Sequence, residues 1–274
     1  MRQQYRRLAL VALMAGATMS ALPAAAAEKS NPPPTQKDWL ALSRLPDWSG
    51  VWNPDITDQN RQATANPPPW TPAVAKQIEH MTAEEKAGRP RLILMGCLPY
   101  GMPNLMTITH NAMEILFTPG RVTILGESDG NRLRRIYTDG RDHPEDPDLS
   151  FHGHSVGHWE GQTLVVDTVG ILPQVWLATG EGVGIPNNGD MHVVERIHLA
   201  APDVLVDDLT VTAPKVLTSP WKTTRKFYRQ RAQKFDIVEG ACEQGNFKAA
   251  TDAQGNSIYV PIELDPLGGV SSKR

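Results

Sequence analysis

The sequence predicts an all-β protein, an antiparallel meander that closes into a barrel, preceded by a helix and an irregular N-terminal segment. Three observations carry the prediction. From Asn111 to Val238, short alternating runs follow one another, each bounded by turn residues such as Pro119-Gly120, Glu160-Gly161 and Ala201-Pro202-Asp203; this is the pattern of successive antiparallel hairpins. One segment alone has the length and apolar period of a substantial helix, and no strand–helix–strand alternation occurs, which excludes a doubly wound sheet and an eight-fold β/α barrel. No fixed repeat is visible, which argues against a propeller.

The elements are justified in order. Arg2, Arg6 and Arg7 precede an apolar run from Leu8 to Leu22 that ends in Ala25-Ala26-Ala27, the layout of a secretory signal peptide cut before Glu28. The run is shorter than the ~20 residues a membrane span needs, so no span is expected and the mature chain is placed in the periplasm or outside the cell. Removing residues 1–27, with their three arginines, leaves 247 residues and takes the formal charge from −3 to −6. A mildly acidic chain without a basic block argues against nucleic acid as partner. Residues 28–46 read as a Pro-rich spacer in which Thr35 caps a short helix through Leu42. A single barrel domain is expected over 47–248 and a C-terminal extension over 249–274.

Within the domain, residues 47–52 are the first strand and 53–70 an irregular stretch. Thr71-Pro72 starts the longer helix, which Gly88 ends. Strands are expected at Met113–Phe117, Val122–Glu127, Leu133–Thr138, His154–Trp159, Thr163–Val169, His192–Leu199, Leu205–Thr212, Lys222–Arg229 and Phe235–Val238. Cys97 and Cys242 are the two cysteines, and an even pair in an exported chain reads first as a disulfide.

Hairpin geometry points to candidate site residues. A two-residue turn at Glu160-Gly161 pairs His154 with Asp167, close enough for the carboxylate to orient the ring. His158 has the same parity. In the 192–212 hairpin Glu195 falls on the apolar face with Val193, Ile197, Leu205 and Leu209, while Arg196 faces Asp208 on the other side. A carboxylate there is either the partner of a buried arginine or a tuned acid or base, and a three-residue turn at 129–131 puts Arg134 on the matching face. The ragged histidine spacing argues against a metal; the fallback ligand set is His152, His154 and His192. Their surroundings faintly resemble the two cupin metal motifs. No dinucleotide, phosphate-loop or nucleophile-elbow motif occurs, and no cofactor is expected.

Gly50-Val51-Trp52 resembles the Gly-x-Trp signature of the lipocalin and calycin barrels. There the tryptophan plugs one barrel end and a late arginine stacks on it, a part that Arg225 or Arg229 would play here. More broadly, Asp47–Trp52, Cys97–Pro103, Asp139–Pro144, Gly153–Gly161, Thr163–Val166 and Val194–Arg196 resemble blocks of a large, mainly uncharacterised family of exported bacterial β-rich proteins. The resemblance implies a β-rich periplasmic domain and the two cysteines, and no activity.

The function expected is a cofactor-free acid–base enzyme of lyase, isomerase or hydrolase type, acting on a small hydrophobic or aromatic molecule in a barrel cavity. His154, oriented by Asp167, is the base, His158 or Glu195 the acid, and Arg134 the anion stabiliser. The alternatives are a non-catalytic lipocalin-like carrier of a hydrophobic ligand, a metal-dependent cupin-like enzyme, and a packed structural domain.

Overall fold

The computed structural model describes residues 32–91, 93–94, 98–128, 132–180, 182–240, 247–251, 253 and 257–261. Residues 1–27, read as a leader, and both cysteines lie outside them, so the expected Cys97–Cys242 disulfide does too; the expected three-residue turn at 129–131 is corrected by the register, in which Gly126 pairs with Arg132 and five residues, 127–131, connect the strands. The architecture is an all-β barrel with few helices. Nine strands close in the order β1-β11-β10-β9-β6-β5-β4-β3-β2. In chain order they are β1 (Val51–Pro54), β2 (Met113–Thr118), β3 (Arg121–Gly126), β4 (Arg132–Tyr137), β5 (His154–Glu160), β6 (Thr163–Val169), β9 (His192–Ala201), β10 (Val204–Thr212) and β11 (Trp221–Gln230). Two small hairpins stand apart from the barrel sheet: β7 (Trp176–Ala178) with β8 (Gly184–Pro186), and β12 (Phe247–Thr251) with β13 (Ser257–Pro261). The second straddles residue 248, where the domain was expected to end.

Alternation positions the core. Along β3, β6 and β11 every second residue is buried, as a half-buried wall requires. Ile124, Ile136, Leu164, Val166, Val193, Ile197, Leu205, Leu209 and Phe227 fill the inside. β1 completes the ring by pairing with β11 (Trp52↔Arg229) and with β2 (Trp52↔Met113).

One end of the barrel is shut by aromatic rings. The indole of Trp52 donates to the Trp48 carbonyl at 2.9 Å. Trp48 in turn packs against Phe117 and Trp159, with centroids 5.6 and 5.2 Å away. Arg229 lies 4.5 Å over Trp52 and donates to the carbonyls of Ser49, Asp47 and Pro202. Of the two arginines the Gly-x-Trp resemblance offered, Arg229 occupies that position. At the opposite end sits the short α4 (Asn104–Thr107), all of it buried.

Four features differ from the sequence expectation. β4 and β5 are parallel neighbours (Ile136↔Ser155, Tyr137↔Val156), so the meander is interrupted; residues 138–153 supply the long connection that a parallel pair needs. Between β6 and β9 the chain makes a detour through the β7–β8 hairpin. The supposedly irregular stretch 53–70 contains α2 (Ile56–Ala65), which joins α1 (Gln36–Leu42) and α3 (Pro72–Lys86). Asp55 caps α2 at the Asp58 amide. Its inward side is polar: the Gln62 amide donates to the Thr224 carbonyl and its oxygen accepts from Thr223 and Arg225. No apolar period therefore announced it. Residues 235–238 form no strand.

Replacing Arg229 tests the closure. Lysine offers a point charge in place of the planar fork that reaches three carbonyls while stacking. Arg229→Lys is expected to lower stability by about 2 kcal/mol and Arg229→Ala by about 3 kcal/mol, read as urea midpoints at constant slope. A lysine variant as stable as the parent would show that the fork contributes nothing.

Candidate functional site

The wall formed by β4, β5, β6 and β9 has two chemically different faces. Ser155, Leu164, Val166, Thr168, Val193 and Glu195 point inward and are buried, whereas His154, Val156, Val165 and Asp167 alternate with them and point outward. The His154 and Asp167 side chains thus share one face, as expected, but it is the outside of the barrel.

The β5–β6 register corrects the expected hairpin. The turn is Gly161-Gln162, with Gly161 at φ +62°, and Glu160 pairs with Thr163. Glycine supplies the positive φ of the first turn position; assigning Glu160 to the turn moved every partner by two residues. His154 lies opposite Val169, and Asp167 opposite Val156. A shift of two preserves the face, yet it leaves the imidazole and the carboxylate diagonal to each other, and a third side chain bridges them.

That side chain is His143, delivered by the β4–β5 connection. Its Nε2 lies 2.9 Å from Asp167 Oδ1, and its Nδ1 lies 2.9 Å from His154 Nδ1. His192, at the start of β9, places Nε2 2.9 Å from Asp167 Oδ2. The hydrogen-bond inventory fixes the tautomers. A carboxylate only accepts, so His143 and His192 each donate from Nε2. Neutral His143 then has a lone pair on Nδ1, and His154 must donate to it from its own Nδ1. What remains on neutral His154 is an unprotonated Nε2, without a hydrogen-bond partner among the described residues. Burial, then the neighbouring His143 and Arg141, hold the His154 pKa below the usual histidine value. The ring also stacks on Tyr137, centroids 5.4 Å apart, and Arg141 covers Tyr137 at 4.0 Å. The Asp167 side chain is 41% exposed; links of this kind contribute at most about 1 kcal/mol to stability, so their consequence is orientation.

His154 lines an open groove of about 370 Å³, together with Arg132, Arg135, Tyr137, Phe151 and His152. The groove runs where β4 and β5, paired at only two positions, leave the wall incomplete. His152 is driven down to a pKa of about 4, first by burial and then by Arg134 and Arg132.

The other expected residues fall elsewhere. Glu195 and Arg134 do meet, inside the barrel: Arg134 holds both Glu195 oxygens at 2.8 and 2.5 Å and reaches Ser155 and Thr168 at 3.3 and 3.1 Å. Asp207, fully buried nearby, is pushed well above the usual carboxylate range by burial and then by Glu195. As an anion Asp207 finds no donor among the described residues; protonated, it can give its proton to Glu195. His158 is exposed, 3.2 Å from Glu160. His154, His158, Asp167 and Glu195 therefore do not converge on one pocket; Glu195 and Arg134 lie inside the wall, where Arg134 touches Ser155, a residue that also lines the groove. Arg196 and Asp208 are cross-strand neighbours, but Arg196 bonds Glu160 and Asp208 accepts from Thr224. His152, His154 and His192 are not gathered; among the described residues no three His, Cys, Asp or Glu side chains are arranged to hold a metal ion. His143 and Tyr137 were missed as site residues. His143 lies in the Asp139–Pro144 block, but no signal in the sequence tied it to His154 or Asp167. No protein-family model and no curated protein matches the chain.

Two measurements check this geometry. Nitrogen-15 spectra of the histidine rings at pH 7.5 are expected to show His154 protonated on Nδ1 and His143 on Nε2; the reverse assignment for either ring would break the chain. Inside the barrel, Glu195→Gln leaves Arg134 short of its counter-charge and should cost about 3 kcal/mol or more. Asp207→Asn should behave oppositely as pH rises. The raised Asp207 pKa means that its contribution is complete below the unfolded value near 3.9 and is lost as pH climbs through the folded value; an amide has no such loss. Thermal midpoints at pH 5 and 9 should therefore diverge in favour of Asp207→Asn.

Proposed function

We propose that the chain is an exported acid–base enzyme of lyase, isomerase or hydrolase type, with His154 as its general base at the outer groove. The observation that carries this reading is the Asp167–His143–His154 chain, which leaves Nε2 of His154 as a fixed lone pair beside a groove of ligand size.

The chemistry follows from the links. When Nε2 accepts a proton, His154 becomes an imidazolium whose Nδ1–H points at His143. His143 is polarised in turn by Asp167, so the carboxylate stabilises the new charge through one intervening ring. Asp167 is held from its other side by His192. The protonated His154 can return the proton to a leaving group or to another carbon of the same substrate, so one residue serves an elimination or an isomerisation. Attack by a deprotonated water gives the hydrolase variant. Arg132 and Arg135 line the groove and suit developing negative charge, the part earlier given to Arg134. The reading invokes no cofactor. The acid role earlier given to His158 or Glu195 has no geometric support, since the one is at the surface and the other inside.

Generic probes test the base without knowledge of the substrate: elimination from a nitrobenzisoxazole, and hydrolysis of nitrophenyl esters. Turnover should rise with pH, because the base works unprotonated, and its midpoint should lie below the ordinary histidine value near 6.5. His154→Ala should lose about 100-fold or more, and Asp167→Asn about tenfold. Unchanged turnover in folded His154→Ala, with every probe and across the pH range, would sink the assignment.

A further inference from the structure

The groove beside His154 has a second space next to it. A pocket of about 170 Å³ adjoins it and shares two of its residues, Pro99 and Phe151. The two are chemically unlike. Among the described residues the groove is lined by two arginines and two histidines and by no acidic side chain. Among the described residues the lining of the pocket has no charged side chain; Leu94, Leu98, Tyr100, Val175 and Trp176 contribute to it, and Arg91 lies 5.3 Å over the Trp176 ring. From this pairing we infer that the site takes a small oxyanion carrying one aromatic ring, its charge against Arg132 and Arg135 and its ring between Phe151 and Trp176.

Size and charge set the ligand class. A dry cavity near 150 Å³ is enough for benzene, so about 170 Å³ suits a single six-membered ring better than a fused polycycle. Arg132 and Arg135 are both exposed on β4, and a guanidinium binds a carboxylate or a phosphate by two parallel hydrogen bonds. A ligand spanning both spaces runs along the groove that His154 lines, so the carbon chain between ring and oxyanion is what the base would meet. The inference deepens the proposed reaction and rests on it for the fate of the ligand; binding itself is tested apart from turnover.

Isothermal titration with the full mature chain is the test, using 3-phenylpropionate, phenyl phosphate, neutral 3-phenylpropionamide, acetate and 2-naphthylacetate. Phenylpropionate should bind at least about tenfold more tightly than its amide, as loss of a charge-assisted pair implies. Acetate, lacking the ring, and the naphthyl acid, less suited to the pocket, should bind at least about tenfold more weakly than phenylpropionate. Phenyl phosphate binding more tightly than phenylpropionate would assign the oxyanion as phosphate; the reverse order assigns a carboxylate. The double variant Arg132→Gln/Arg135→Gln should erase the preference of acid over amide, and Trp176→Leu should weaken the aryl ligands alone. Equal affinity for acid and amide, or none for any aryl anion, overturns the inference, while benzisoxazole turnover that still depends on His154 would leave the proposed reaction standing. Conversely, aryl anion binding by a chain whose probe turnover ignores His154 would keep the site and remove the reaction.

Discussion

The buried pair of Arg134 and Glu195 sets the orientation of the wall on which everything else is mounted. Arg134 leaves β4 and crosses the interior to β9, binding both Glu195 oxygens, and one of its nitrogens also touches Ser155 and Thr168. These two hydroxyl residues bond each other at 2.8 Å. A strand alternates strictly between its faces, so holding Ser155 and Thr168 inward forces His154 and Asp167 outward. A slip of one residue in either strand would bury the imidazole or the carboxylate and expose the hydroxyls. The pair therefore specifies the wall more than it stabilises it: removing two charges from water is expensive, and bidentate geometry with added hydroxyl donors and acceptors is what offsets the cost.

The same interior explains how two buried carboxylates coexist side by side. Asp207 is fully buried beside Glu195, and its raised proton affinity makes it a donor to its neighbour in place of a second anion. Arg225, opposite Asp207 on β11, spends its hydrogen bonds elsewhere, on the Thr107 and Thr224 carbonyls, Thr223 and Gln62. Its pKa falls to about 10 chiefly through burial, so it keeps its charge at neutral pH. The barrel interior is thus a packed core threaded by charged and hydroxyl side chains.

The candidate site is built where the meander is broken. Because β5 follows β4 in parallel, the connection 138–153 must travel outside the barrel, and it brings His143 onto the face of β5 and β6. Because β6 does not turn directly into β9, the intervening detour returns the chain at His192, on the other side of Asp167. The two departures from simple hairpin order thus each deliver one histidine to the same carboxylate. The short overlap of β4 with β5 leaves the groove next to them. Loops on a rigid wall are a common way to hold reactive groups.

The sequence by itself determined whatever depends on local periodicity. Strands β2 to β6 and β9 to β11, the inward face of Glu195 and Arg134, the helix capped by Thr35 and the helix that Pro72 begins, and the shared face of His154 and Asp167 all follow from alternation, helix-start signals and turn residues, since these are physics of neighbours along the chain. α2 escaped because its buried side is made of glutamines, for which no hydrophobic period exists. Only the tertiary structure decided which side of the wall is the inside, since Val165 and Val166 read as apolar on both faces and the choice falls to Arg134, fixed across the barrel. Only it could place His143 between His154 and Asp167, because a loop that crosses between parallel strands leaves no register in the sequence.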